Sequence, residues 1–234
     1  MKKSNRVAIF DIDGTIFRSS LLIELVESLV KENVLPEKVR AIYAKSYKKW
    51  ADRKGSYEKY IHSVVVAFEK NIKGVDYDAF IKIAEQVIAD NKDRVYRYTR
   101  DLVKELKRKN YYLLAISHSP KEIVQGFCKK LGFDKVYGRV YEVSKNNKFT
   151  GKTLYPDLIP DKAKILKRVL KKENLILADS IGVGDSESDI AFLKLVEQPI
   201  CFNPNNKLYA KAKRFGWQVV VERKDVVYNK KYVL

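Results

Sequence analysis

The chain reads as an α/β protein, a parallel sheet flanked by helices and interrupted after its first strand by a helical insertion. Three observations predict this. The apolar run Arg6 to Phe10 ends in Asp11-Ile12-Asp13-Gly14, the pattern of a buried strand that stops at a turn. From Tyr112 onward strand-like and helical segments alternate, which calls for crossover connections and puts helices on both faces of a sheet. Between these regions lie roughly a hundred residues whose apolar positions recur mainly at helical spacing.

The elements follow in order. After the first strand, helices are expected over Leu21 to Lys31, Pro36 to Ala51, Tyr57 to Glu69 and Asp76 to Asp90, with breaks near Pro36, Gly55 and Gly74. A single helix suffices for a parallel crossover, and Arg94 to Lys109 supplies it before a strand at Tyr112 to Ile116. The four earlier helices are therefore surplus to the sheet. A helix at Lys121 to Leu131 follows, then a β excursion, Val136 to Val143 and Lys148 to Tyr155, around Asn146-Asn147. The remainder reads as helix Asp161 to Lys171, strand Ser180 to Val183, helix Glu187 to Leu195, strand Pro199 to Phe202, helix Asn206 to Arg214 and strand Gln218 to Val221. No internal repeat or low-complexity segment is present.

Side chains at i and i+2 of a strand point the same way, so Asp11 and Asp13 can face one site. Two carboxylates that close repel unless a cation or proton lies between them, which suggests a hard divalent metal with oxygen ligands. Gly14 lets the chain turn away, although Asp13-Gly14 alone could be a plain strand-ending turn. Asp185 and Asp189, in Gly182-Val183-Gly184-Asp185-Ser186-Glu187-Ser188-Asp189, are one helical turn apart after another strand-like run. Leu113 to Ser117 is a third apolar run, closing on a hydroxyl. In a parallel sheet such strand ends line one edge, where open α/β folds place ligands.

This set is similar to the four motifs of haloacid dehalogenase superfamily phosphatases. Asp11, Asp13 and Thr15 match Asp-x-Asp-x-Thr, Ser117 the strand-closing hydroxyl, Lys162 the helix-start lysine, and Asp185 with Asp189 the Gly-Asp-x-x-x-Asp turn. Lys164 competes for the third motif, with the spacing to Ile165-Leu166 favouring Lys162. Ala178-Asp179-Ser180 through Asp189, then Phe202-Asn203-Pro204 and Gly216-Trp217, narrow the resemblance to subfamily IB, the phosphoserine phosphatase-like group. The resemblance implies a Rossmann-like core over residues 1–18 and 92–234, with residues 19–91 as a helical cap. It implies Asp11 as nucleophile, Asp13 as general acid and base, and Mg2+ bound at Asp11, Asp13 through its carbonyl, and Asp185. Asp189 would position Lys162 or a metal-bound water, while Ser117, Lys162, Gly14, Thr15 and His118 would line the phosphate and substrate. Ser119 fits a helix N-cap before Pro120.

The implied activity is Mg2+-dependent hydrolysis of a small phosphorylated metabolite, a phosphomonoester, through an aspartyl-phosphate intermediate. A phosphotransferase would use the same residues. Two positions depart from the phosphoserine phosphatase pattern: Ser20 stands where that group carries a Glu, and His118-Ser119-Pro120 replaces Gly-Gly after the motif serine. Glu24, Arg40 and Arg53 are the polar candidates for leaving-group recognition in the insertion.

Composition narrows the classes. With 46% hydrophobic residues the chain can bury a core, and no apolar run approaches the roughly 20 residues of a membrane helix. Met1-Lys2-Lys3-Ser4 leads directly into the first strand, so a cytoplasmic location is expected. A monomer or homodimer is expected as well. Isolated Cys128 and Cys201 suggest reduced thiols, and the two histidines, His62 and His118, lack zinc-site spacing. The formal charge of +18 suits a basic funnel for anionic substrates, or alternatively a nucleic-acid partner. Lys38 to Tyr60 holds eight basic and two acidic residues; its Tyr43, Tyr47 and Trp50 recur at helical spacing, as a core stripe would.

Overall fold

A computed structural model describes residues 5–230. Strand β1 (Arg6–Phe10) lies mid-sheet between β2 (Tyr112–Pro120) and β5 (Ile176–Gly184). Outward from these run β3 (Lys135–Val143) beside β2, then β6 (Gln198–Phe202) and β7 (Gln218–Arg223) beyond β5, all parallel. Antiparallel strands β4 (Phe149–Leu154) and β8 (Val226–Lys230) close the two edges.

Alternation along the strands divides the core in two. Ala8, Phe10, Leu113 and Ala115 face one apolar cluster with α5 (Arg97–Arg108) and α6 (Lys121–Leu131). Val7, Ile9, Leu114 and Ile116 face the other, with α7 (Lys162–Glu173), the single turn α8 (Ile190–Leu193) and α9 (Asn206–Phe215). Strands buried on both faces explain the unbroken apolar runs in the sequence.

Between β1 and α5 stand α1 (Leu21–Lys31), α2 (Lys38–Ala51), α3 (Tyr57–Asn71) and α4 (Tyr77–Asn91). Their buried residues join the first cluster without a break: α1 and α4 contribute Leu25, Leu29, Phe80 and Val87 alongside Phe127 of α6. Side-chain caps start α3 and α4, where Ser56 accepts from Lys59 N at 3.3 Å and Asp76 from Ala79 N at 3.0 Å. The β3–β4 hairpin braces this insertion. Phe149 N donates to Val75 O and Gly74 N to Phe149 O, while Phe149 packs edge-on against Phe80 at 4.9 Å.

The structure modifies several expected elements. Strand β8 is additional to the expected elements: its residues are all exposed and offer no alternation. The helix expected over Glu187 to Leu195 is instead a 3-10 turn, Glu187–Asp189, followed by α8, because Asp189 folds back onto the Asp185 and Ser186 amides. Of the aromatic stripe on α2, Tyr43 is buried, but Tyr47 is 49% exposed and packs with Trp50 and Tyr57, both also exposed, around the buried Tyr60. Among the described residues no helix is long and apolar enough to cross a membrane.

Candidate active site

Strand register assembles the site. Phe10 pairs with Ala115 on one side and Val183 on the other, so Asp11, Ser117 and Asp185 emerge at the same sheet edge. The chain then reverses tightly: Gly14 N donates to Phe17 O and Ser19 O, both at 3.0 Å. Gly14 has φ +79°, and a Cβ there would lie 2.3 Å from Asp185 Oδ2. Both the backbone angle and the close approach of a carboxylate require glycine.

Asp11 is 6% exposed; its Oδ1 accepts from Lys162 Nζ at 2.6 Å and its Oδ2 from Thr15 Oγ1 at 3.1 Å. Lys162, 1% exposed, also reaches Asp189 Oδ1 at 2.6 Å. Lys164 lies exposed, and its amide is held by the Asp161 N-cap. The second oxygen of Asp189 accepts from the Asp185 and Ser186 amides, at 3.0 and 3.1 Å. Asp189 is thus occupied on both sides and fixes Lys162 against Asp11.

Asp13 turns to a different set of donors. Ser117 Oγ at 2.5 Å and Ser119 Oγ at 2.9 Å donate to Oδ2, and Leu21 N at 2.5 Å to Oδ1. Ser119 is therefore no helix cap: α6 begins after Pro120 with no side-chain cap, and the Ser119 hydroxyl bridges Asp13 and the Leu22 amide. His118 stands at the cavity wall with Nε2 buried and unpartnered, and its ring bonded to the Ile159 backbone. Burial, then the charges of Lys162 and Arg139, depress it to about 4, so it is neutral at pH 7.

The electrostatics are those of crowded acids. Burial pushes Asp11 up to about 7 against the pull of Lys162, with Asp189 and Asp13 adding repulsion. Burial also raises Asp13, opposed by its Ser117, Leu21 and Ser119 hydrogen bonds. Asp185 is raised well above the ordinary carboxylate range, by burial and then by Asp11 and Asp189; among the described residues its carboxylate accepts no hydrogen bond. Desolvation would lower Lys162, yet Asp11 and Asp189 hold it firmly protonated. Asp11, Asp185 and Asp189 each bring an oxygen within 4.8 Å of the others. Buried carboxylates in excess over one ammonium fit a hard cation taking oxygen ligands.

These groups open into a cavity of about 560 Å3 that is also lined by Ser20, Leu22, Tyr57, Ile61, Val65 and Arg139. The polar residues expected to recognise the leaving group do not line it: Glu24 pairs with Arg94, Arg40 with Glu27 and Glu37, and Arg53 is exposed away from the cavity. Tyr57, Arg139 and Lys207 line it instead, brought there by α3, β3 and α9. No local pattern marks them, since each depends on how a distant element packs.

The haloacid dehalogenase-like hydrolase model matches residues 8–194. A phosphoserine phosphatase of Methanocaldococcus jannaschii is 24% identical over all of both chains, and one of Archaeoglobus fulgidus is 20% identical over 88% of this chain and 55% of its own length. Among solved structures, a Bordetella pertussis protein of unknown function superposes with a TM-score of 0.72 at 18% identity, covering 92% of this chain and 97% of its own. A phospho-aspartyl intermediate analogue of phosphoserine phosphatase gives 0.62 at 23% identity, covering 96% of each chain. The family match spans most of the length and agrees with the fold, so the chain belongs to the haloacid dehalogenase-like hydrolase family, as a phosphatase of its phosphoserine phosphatase-like group.

Proposed function

We propose that the protein hydrolyses a small phosphorylated metabolite through an aspartyl-phosphate on Asp11, with Mg2+ as cofactor and residues 19–91 serving as the cap. The observation that carries this reading is the Asp11 carboxylate at the cavity floor, pinned between Lys162 and Thr15 with Asp13 and Asp185 beside it. Asp11 and Asp185, with the Asp13 carbonyl, would hold the cation, which supplies positive charge to a phosphoryl dianion approaching carboxylates.

An Asp11 oxygen forms the bond to phosphorus as the bond to the leaving oxygen breaks. Asp13 delivers a proton to that leaving oxygen; burial favours its neutral acid, while the Ser117, Leu21 and Ser119 hydrogen bonds oppose that shift. Its carboxylate then takes a proton from the water that splits the acyl phosphate, which restores both groups. Ser117 and Lys162 supply hydrogen bonds to the phosphoryl oxygens, and Asp189 keeps Lys162 in place.

The cavity argues for a substrate other than phosphoserine. Beyond Asp11, Asp13 and Asp185, its lining carboxylates are Glu58 and Glu187, and both are bound to Lys207. A substrate ammonium would find no unpaired acid there, whereas Leu22, Ile61 and Val65 offer an apolar wall.

The test is phosphate release from an aryl phosphate and a panel of phosphorylated metabolites, with Mg2+ or chelator. Asp11→Asn should reduce release by on the order of a thousandfold or more while leaving the circular dichroism spectrum intact. Release that survives in the variant would overturn the reading.

A further inference from the structure

A second cavity, of about 940 Å3, lies against the outer edge of β3. Its floor is Lys135 to Gly138, where β3 pairs with β2 on one side only; β4 joins from Val140 onward. Two helices from opposite faces of the sheet form its walls. From α6 come Lys121, Gln125 and Lys129, and from α7 Lys164, Arg168 and Lys172. Each row advances by four residues, about 6 Å per step.

The six cations of this groove, Lys121, Lys129, Lys135, Lys164, Arg168 and Lys172, are gathered on three adjoining elements and form no ion pair among the described residues. Of its two acids, Asp134 accepts the Leu113 amide. Aromatic faces accompany the charge. Tyr155 is 71% exposed, holds a left-handed φ of 52° and packs against no other ring among the described residues, while Phe133 and Tyr137 line the wall nearby. A strained residue that presents a bare ring to solvent contributes nothing to the core.

The other basic and aromatic region, α2–α3, is built differently. There Trp50 stacks on Tyr60 at 5.5 Å and Tyr47 and Tyr57 pack around them, so the rings cover one another. Cations on two facing helices, with the exposed ring of Tyr155 and the half-buried ring of Tyr137 lining the same groove, match a strand of phosphates carrying flat bases. We propose that this groove binds single-stranded nucleic acid, with phosphates along the α6 and α7 rows and bases against Tyr155 and Tyr137. The site is separate from the phosphatase site and does not depend on it.

Fluorescence anisotropy with a labelled oligothymidylate of about twenty residues tests this, using full-length Asp11→Asn protein. Arg168→Glu with Lys172→Glu should weaken binding at least tenfold and lower the slope of log affinity against log salt by about 1 to 1.5. Tyr155→Ala should weaken it several-fold with the slope unchanged. Lys45→Glu with Lys48→Glu, an equal charge change on α2, should cost less than about threefold. No saturable binding, or equal loss from the α2 pair, would overturn the proposal. So would a neutral Tyr155→Ala combined with inorganic polyphosphate competing as well as unlabelled oligonucleotide, which would mark a general polyanion surface. Introduced alone, the Arg168 and Lys172 changes should leave kcat for aryl phosphate hydrolysis at saturating substrate at the wild-type value, which establishes folding and keeps a failure here distinct from failure of the phosphatase reading.

Discussion

At the scale of single residues, the site is fixed by contacts that leave no room for substitution. Gly14→Ala adds strain at φ +79° and drives a methyl into Asp185 Oδ2. The variant should fold, yet bind Mg2+ at least tenfold more weakly, read as a shift in the metal concentration for half-maximal activity. An unchanged metal dependence would show that Asp185 is not a ligand. His118 yields a prediction about acid stability. Its folded value of about 4 lies below the ordinary 6.5, so the unfolded chain takes up a proton that the folded chain refuses. Stability is therefore full above pH 6.5 and falls as pH drops toward 4, by ~3 kcal/mol over that window. His118→Asn should lose less melting temperature between pH 7.5 and pH 5 than wild type does, and equal losses would contradict the assignment.

At the scale of elements, the sequence exposed its strand ends better than its lids. Asp11, Ser117 and Asp185 each terminate an apolar run, and parallel register alone brings such ends to one edge. The apolar pair that follows at helical spacing favours Lys162 over Lys164, and in the structure Lys162 is buried while Lys164 is exposed. Strand β8 and the short turn after Ser186 were not legible, the first because it buries nothing and the second because Asp189 replaces helical hydrogen bonds with its own. Also unreadable was the bridge joining α3 to α9, in which Lys207 Nζ contacts Glu58 at 3.2 Å and Glu187 at 2.5 Å. Burial would raise Glu187, but Lys207 and Asn205 hold it down at about 2. Glu187 follows Asp185 by two residues, so this bridge ties the insertion to the acidic turn. Exposed pairs contribute little to stability, so Lys207→Gln should alter unfolding free energy by less than about 1 kcal/mol. It should nevertheless raise KM several-fold by loosening closure over the cavity. A normal KM with a lowered melting temperature would reduce the bridge to a structural contact.

For the whole molecule, the +18 charge surrounds a site whose own residues are predominantly acidic. A phosphate dianion approaching from solvent first meets the long-range positive field, and only inside the cavity does it meet Asp11, Asp13 and Asp185. The two ranges can be separated by salt. Screening acts over about 10 Å at 0.1 M and shortens further as salt rises, so it suppresses the approach while leaving buried contacts such as Lys162 to Asp11 nearly untouched. Raising monovalent salt at constant Mg2+ should therefore lower kcat/KM for a dianionic substrate, by about tenfold or more if encounter limits the reaction, and change kcat little. A phosphomonoester of similar size whose leaving group carries a cation, giving a net charge of about −1, should show a shallower dependence. Were kcat to fall in parallel with kcat/KM, the salt would be acting on the catalytic groups themselves, and the surface charge would have no part in capturing substrate.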